Sequence, residues 1–280
     1  MKKVLLLAAC LGFQAVSAQE TTEPESNWTR TGNITVLGSQ SSFSNWQSGG
    51  SNNIALSGAL NYDLNYKKDK WTWDNKFIAS YGINKLKGQK QQKTDDRIEI
   101  NSVAGLQATD RWSYSFFGNF KTQFDVGYDP KKPTNVISHF MSPAYLQFGP
   151  SMLWKKDDNL RVNISPAAAR FIFVHKHFTD FGPSFGVEQG ESMRFEFGAS
   201  VNGYYKVQLM ENFVVENILS LYSNYLDKPQ NVDIDYQMNA VLKVNKYIST
   251  NLTFQALYDD NAFKGFQTRH TFGVGLNVLF

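Results

Sequence analysis

Four histidines, His139, His175, His177 and His270, are the side chains best suited to exchange a proton near neutral pH. A hydrolase would need one of them beside a nucleophile, or carboxylates placed to activate water. Ser138 and Ser142 are close to His139 in sequence. Along an extended segment, however, His139 shares its inward phase with Met141, Tyr145 and Gln147, and both serines face the opposite way. His175 and His177, two residues apart, could hold a metal together with Asp180 or Glu188. The neighbouring carboxylates Asp95-Asp96 and Asp259-Asp260 could flank a water or take calcium, although adjacent carboxylates at strand ends are ordinarily solvated. The chain has no glycine-rich phosphate loop, no serine elbow and no metal-spaced cluster. No catalytic residue, metal or cofactor is therefore assigned.

A larger group of charged residues falls on one phase of extended segments. It comprises Asp63, Asp74, Lys76, Arg97, Glu99, Arg111, Lys121, Asp125, Arg161, Arg194, Glu196, Lys206, Glu216, Asp233, Asp235, Lys243 and Arg269. Both signs are well represented, as expected of an interior network of ion pairs and hydrogen bonds or of a polar conduit. Arg97, Glu99, Lys121, Asp125, Arg194 and Glu196 are the candidate binding residues of that interior. Lys85, Lys87, Lys90 and Lys93 form a separate basic loop, read as solvated, that could also meet anionic headgroups. Basic residues are otherwise scattered singly, which gives no ground for a nucleic-acid partner.

The elements that position these groups have a period of two. Ile54, Leu56, Gly58, Leu60, Tyr62, Leu64 and Tyr66 alternate with Ala55, Ser57, Ala59, Asn61, Asp63 and Asn65. Met193 to Leu209 and Val232 to Val244 alternate in the same way, with the apolar residues on odd and even positions respectively. Continuing along the chain predicts twelve strands, over 32–40, 53–66, 71–83, 96–108, 111–128, 137–154, 160–175, 193–208, 213–226, 231–245, 248–260 and 266–280. Their length suits a hydrocarbon core about 25 Å thick, crossed by roughly 9–11 tilted residues, whereas soluble strands average about five or six. Tight connections alternate with longer ones, and the tight ones fall on the side of the termini. Trp71, Trp73, Trp112, Trp154 and Phe213 lie beside tight turns, and Tyr81, Tyr128, Phe140, Tyr225 and Tyr258 near longer loops, where rings suit a lipid–water interface. The predicted fold is an all-β, transmembrane, antiparallel up-and-down barrel of about twelve strands. A soluble β-sandwich is the alternative.

One strand resists. In 160–175 the apolar phase Leu160, Val162, Ile164, Pro166, Ala168 would deliver Arg170 to lipid, where a charge is costly. A bulge at Pro166 would reverse the phase, turning Arg170 inward and Phe171 and Phe173 outward. The sequence leaves both registers open.

Composition agrees with this architecture: 280 residues, 42% hydrophobic, with 22 Phe, 13 Tyr, 6 Trp and 20 Gly, but with no apolar run near the roughly 18 residues of a spanning helix. Residues 1–18 read as a cleaved signal peptide: Lys2-Lys3, an apolar stretch, then Val16-Ser17-Ala18. The single cysteine, Cys10, sits in Leu7-Ala8-Ala9-Cys10, which also fits a lipoprotein signal, although the preceding apolar run is short. Removing Lys2 and Lys3 from the 28 basic residues leaves 26 against 25 acidic ones, so net charge is uninformative. Residues 19–31 follow as a short periplasmic segment, and 32–280 as the barrel. Phe272, Val274, Leu276, Val278 and Phe280 end the chain on an aromatic, resembling the carboxy-terminal signal read by barrel-insertion machinery.

Several segments resemble a family of uncharacterised outer-membrane-type proteins from Bacteroidota, classed only as a domain of unknown function. They are Trp46 with Gly49-Gly50 and Asn52, Asp95-Asp96-Arg97, Lys121-Thr122-Gln123-Phe124 leading to Gly127-Tyr128, Ser142-Pro143-Ala144-Tyr145-Leu146, Ser165-Pro166, Glu196 with Gly198, Tyr258-Asp259-Asp260 and Gly273-Val274-Gly275. The resemblance implies the fold and a place in the bacterial outer membrane; the expected partners are the lipid bilayer and, through the closing Phe280, the insertion machinery. It implies no activity. The expected role is a narrow pore, or a structural or partner-docking envelope protein. The alternative is a lipid-modifying hydrolase or protease with its site at the extracellular rim.

Overall fold

The computed structural model describes residues 26–42, 52–129, 132–261 and 263–280. Residues 1–18, read from the sequence as a signal peptide, and Trp46, Gly49 and Gly50 lie outside them. Fourteen strands follow one another: β1 (Trp28–Ser41), β2 (Asn53–Lys68), β3 (Trp71–Leu86), β4 (Gln92–Gln107), β5 (Trp112–Thr122), β6 (Gly127–Asp129), β7 (Lys132–Ser138), β8 (Ala144–Asp157), β9 (Leu160–Phe173), β10 (Met193–Met210), β11 (Phe213–Asn224), β12 (Val232–Lys243), β13 (Ile248–Asp259) and β14 (Phe263–Leu279). Twelve of them close into an antiparallel barrel in the order β1-β14-β13-β12-β11-β10-β9-β8-β5-β4-β3-β2, and β6 pairs only with β7. The barrel strands run from 11 residues in β5 to 18 in β10. Short turns at 69–70, 108–111, 158–159, 211–212 and 244–247 lie at the end where β1 begins and β14 finishes, and most of the longer connections lie at the other.

The alternation puts apolar side chains on the outside. Ile34, Val36, Ile54, Leu56, Phe272, Val274, Leu276 and Val278 are all exposed on the barrel exterior. The other phase of the strands turns into the lumen, where Glu99 on β4 and Glu196 on β10 are buried. Phe171 stacks on Phe148 and Phe173 and leans against Phe195, making an aromatic strip on the outer wall.

The open question in β9 is resolved by a bulge. On the β10 side, Gly198 pairs with Ala168 but Ser200 pairs with Ser165, so β9 contains one residue more than its neighbour. The β8 side shifts over the same stretch, between Phe148↔Ala169 and Met152↔Ile164. Pro150 and Pro166 have no N–H to give to a ladder, which favours the irregularity here. Side chains satisfy the displaced carbonyls: Ser165 donates to Pro150 O at 2.7 Å and Tyr225 to Pro166 O at 3.1 Å. Gly149 allows the close approach, because a Cβ there would stand 2.3 Å from Ala167 O. Beyond the bulge Arg170 is paired across to Glu196 in the interior, while Phe171 pairs with the outward Phe195.

Two expected strands are shorter than the periodicity suggests. The strand expected over 111–128 stops at Thr122, and the one expected over 137–154 starts at Ala144. Side chains take over the backbone bonds between them. Thr122 Oγ1 donates to Pro143 O and accepts from Met141 N, each at 3.1 Å, and Gln123 donates to His139 O at 3.0 Å and Ser142 O at 2.9 Å. The chain between becomes the β6–β7 hairpin, so His139 does not share the inward phase of Tyr145 and Gln147. β1 begins at Trp28, earlier than the expected residue 32.

Barrel closure brings the two ends of the described chain together. The β1–β14 register runs only from Asn33↔Leu279 to Leu37↔Gly275, against Trp28↔Tyr66 to Ser41↔Asn53 for β1–β2. Two bonds extend it, Gly32 N to Phe280 O at 2.8 Å and Phe280 N to Gly32 O at 2.9 Å. Gly32 leaves room for the Phe280 ring, which a Cβ would meet at 2.6 Å, and that ring stacks on Tyr62. No helix among the described residues is long and apolar enough to cross a membrane.

Candidate functional site

The lumen is crossed by side chains from facing walls. Arg97 on β4 donates through Nη1 to Gln237 Oε1 on β12 at 2.9 Å, and these strands lie six places apart around the twelve-strand ring. Lys121 on β5 reaches Asp235 on β12 at 3.0 Å, across five places. A backbone radius of roughly 12 Å follows from twelve tilted strands spaced about 4.8 Å apart, so two long side chains meeting near the axis span the lumen. Glu99 is the hub on the β4–β5 side. It is ion-paired to Arg97 and accepts from Asn101 at 2.8 Å and Asn119 at 3.4 Å. Asp235 is the hub opposite, accepting from Gln255 at 2.8 Å as well as from Lys121. Each carboxylate thus meets cations and amides together, the condition under which charge is tolerated away from water.

A second cluster lies nearer the end with the longer connections. Arg170 on β9 meets Asp233 at 2.5 Å, Glu196 at 3.4 Å and Asp259 at 3.9 Å, and its guanidinium lies 4.5 Å from the centre of the Tyr222 ring. Arg194 bridges Glu196 at 2.8 Å and Asp227 at 3.3 Å. At the opposite end, Lys76–Asp63 and Lys206–Glu216 pair at 3.6 Å, with Arg161 over the Tyr204 ring. One cavity of about 630 Å³ touches all three levels, lined by Asp63 and Arg161, by Glu99 and Lys121, and by Asp233 and Asp259.

Two folded-in segments reach the mouth. Phe178 and Phe185, from the connection between β9 and β10, pack with Tyr145 against Ile172, Val174 and Val187. Its backbone is anchored by His175 N donating to Ser142 Oγ at 2.7 Å and by Thr179 Oγ1 donating to Glu191 O at 2.6 Å. Phe185 and Ile137 line the cavity.

Of the six candidate binding residues, Arg97, Glu99 and Lys121 come together in the mid-lumen network, and Arg194 and Glu196 pair in the second cluster. Asp125 stands apart, in the connection after β5. It accepts from the Tyr81 hydroxyl at 2.7 Å and from Val126 N at 2.7 Å, and these bonds, the Tyr81 one foremost, hold its carboxyl below the usual carboxylate range. Its neighbour Asp96 accepts from Phe124 N at 2.7 Å and Asp125 N at 2.9 Å, pinning the same connection. Sequence reading missed the cross-lumen partner Gln237 and its cross-strand neighbour Gln255, although both share the inward phase of Asp235. It also left Arg170 undecided.

The chemistry of the histidines does not assemble. The His139 ring lies 5.4 Å from that of His175 and 4.9 Å from Phe178. Ser138 Oγ donates to Gln123 at 3.3 Å, and Ser142 Oγ accepts a backbone N–H, so neither shows a bond to an imidazole. His175 Nδ1 faces His177 N at 3.4 Å, and among the described residues Asp233, Asp259 and Asp260 are the acidic or histidine group with ligand atoms close enough to share an ion.

A family model described as a protein of unknown function (DUF3078) matches residues 39–128. No curated protein matches the chain. Among solved structures, the translocator domain of the autotransporter NalP from Neisseria meningitidis is similar at 11% identity, with 91% of this chain and 89% of that one covered and a TM-score of 0.37. An outer membrane channel from Pseudomonas putida F1 is similar at 10% identity, covering 94% and 98%, TM-score 0.41. The NanC porin gives 10% identity, 88% and 98%, TM-score 0.39.

Proposed function

We propose that this protein is an outer-membrane barrel, of the Bacteroidota type that its sequence resembles, acting as a narrow polar conduit for ions and small hydrophilic solutes. Residues 1–18 would direct export, and the strand ending in Phe280 would be read by the insertion machinery. The membrane part of the reading rests on the outer wall. Phe116, Phe195, Phe197, Phe272, Val274, Leu276 and Val278 are exposed on the barrel exterior. Leaving each such side chain in water forfeits roughly 1.5–3 kcal/mol, and soluble monomers rarely present an apolar patch beyond a few hundred Å². Hydrocarbon is the solvent that such a belt suits, and a closed barrel is the strand architecture that leaves no backbone group unpaired in it.

The observation that carries the conduit is the 630 Å³ cavity, whose lining extends from Asp63 to Asp259. Among the described residues, the ties across its middle are made by side chains. Such ties narrow the path and screen solutes by size and charge without sealing it.

Planar-bilayer recording of the purified full-length protein tests this. Small discrete steps are expected from the wild type, and clearly larger ones from Lys121→Ser/Asp235→Ser, which removes one tie. Absence of steps from both proteins, with heat-modifiable gel mobility showing that both are folded, overturns the conduit.

A further inference from the structure

We propose that the barrel wall has a side portal between β1 and β14, through which an acyl-chain carboxylate reaches the lumen from the bilayer. The inference rests on the membrane reading of the barrel and is independent of conduction. The β1–β14 ladder stops at Leu37↔Gly275. Both strands continue past that rung, each held by its other neighbour: β1 stays paired to β2 as far as Ser41↔Asn53, and β14 to β13 back to Asp259↔Phe263. A continued register would set Gly38 to Ser41 against Val274 to Thr271. Among the described residues, these two stretches make no such pair. The ribbons part there.

Exposure traces the same opening. Within the paired stretch the lumen-facing Thr35 and Asn277 are buried. Past it both phases are exposed, over Gly38 to Ser41 on β1 and Phe266 to Phe272 on β14. The ladder climbs from Gly32, bonded to Phe280, to Leu37. At roughly 2.5 Å of depth per residue in a strand tilted near 40°, this is about half of a hydrocarbon core some 25 Å thick. The gap therefore occupies the half nearer the longer connections.

Unpaired N–H and C=O groups are costly in hydrocarbon, so the two edges call for a polar occupant that arrives through lipid. The head of an amphiphile meets that demand while its chain stays outside. Phe272 and Val274 on β14, with Ile54 and Leu56 on β2, are exposed on the lipid side and suit such a chain. On the lumen side Arg269 donates to Asp95 Oδ1 at 2.6 Å and to Gln255 Oε1 at 3.0 Å. Gln255 lines the cavity. A carboxylate passing Ser39 and Thr271 competes with Asp95 for this guanidinium and so stands at the cavity's edge.

The test reconstitutes the full-length protein in phosphatidylcholine vesicles with palmitate carrying a photoreactive diazirine beside its carboxylate, and maps the adducts by mass spectrometry. Adducts are expected on the lumen-facing Ser39, Ser41 and Thr271, falling at least fivefold with excess unlabelled palmitate. A Cβ at Gly38 would meet no atom nearer than 4.0 Å, so Gly38→Trp fills the lipid-side mouth without a clash. It should lower these adducts at least fivefold. Gly58→Trp, on β2 where a Cβ would also meet nothing within 4 Å, should leave them unchanged. Arg269→Gln should weaken labelling by the acid and spare that by the corresponding diazirine alcohol. Heat-modifiable mobility establishes that each variant is folded. Adducts confined to the outer apolar belt, adducts unchanged in Gly38→Trp, or an Arg269→Gln effect equal for acid and alcohol overturn the proposal. Flotation with the vesicles separates the causes of failure: a protein that inserts without lumenal adducts refutes the portal alone, and one that does not insert refutes the membrane reading as well.

Discussion

Single side chains carry the mid-lumen network, and their energetics are asymmetric. Replacing Lys121 with Met would leave Asp235 with amide donors alone, a loss we expect at about 2–3 kcal/mol in detergent unfolding. Lys121→Met/Asp235→Leu should recover most of it, because an apolar pair needs no partner; a double variant as unstable as the single would show that the pair stabilises in its own right. At the mouth, the Asp125 carboxylate is held in its ionised form by Tyr81 and Val126. A carboxylate whose folded value is depressed contributes stability above its unfolded value and loses it as pH falls through the lower, folded one. Hydrogen exchange of residues 123–129 should therefore stay slow from neutral pH down through the ordinary carboxylate range and rise only below it. In Asp125→Asn it should be fast throughout. Alternation made the inward direction of Arg97, Glu99 and Lys121 legible, since a period of two assigns a face to every residue. It carries no information about height or about the facing wall, so Gln237, 140 positions away from Arg97, could not be named as its partner.

Strands were readable wherever the zigzag ran unbroken, as in β2, β10 and β12. They were not where side chains replaced the ladder: Thr122 and Gln123 bond the 139–143 backbone and end β5 early, although the apolar pattern continues. The β9 bulge is the other such place. Pro166 announces an irregularity, but whether one residue is inserted depends on the room that Gly149 leaves for Ala167, which only three dimensions reveal. Deleting Ala167 should restore plain alternation from Leu160 onward and drive Arg170 toward the outer wall, at a cost that rises with depth to roughly 2–4 kcal/mol at the midplane. It should also strip Asp233 of its cation and leave Glu196 with Arg194 alone. We expect this deletion to abolish heat-modifiable gel mobility, while deletion of Gly88 in the connection between β3 and β4 should leave it intact; a folded Ala167 deletion would mean that the bulge does not set the phase.

At the scale of the molecule, the barrel reads as a tube whose wall is fixed by backbone pairing and whose bore is fixed by side chains from opposite strands. A cylinder of hydrogen-bonded ribbon bends easily across its width, and lateral forces from surrounding lipid would press it toward an ellipse. The Arg97–Gln237 and Lys121–Asp235 ties act as spokes: flattening along their direction compresses them, and widening pulls them apart. Roundness and bore are thereby set by the same few contacts, so any solute that parts the spokes must also, for that moment, soften the rim.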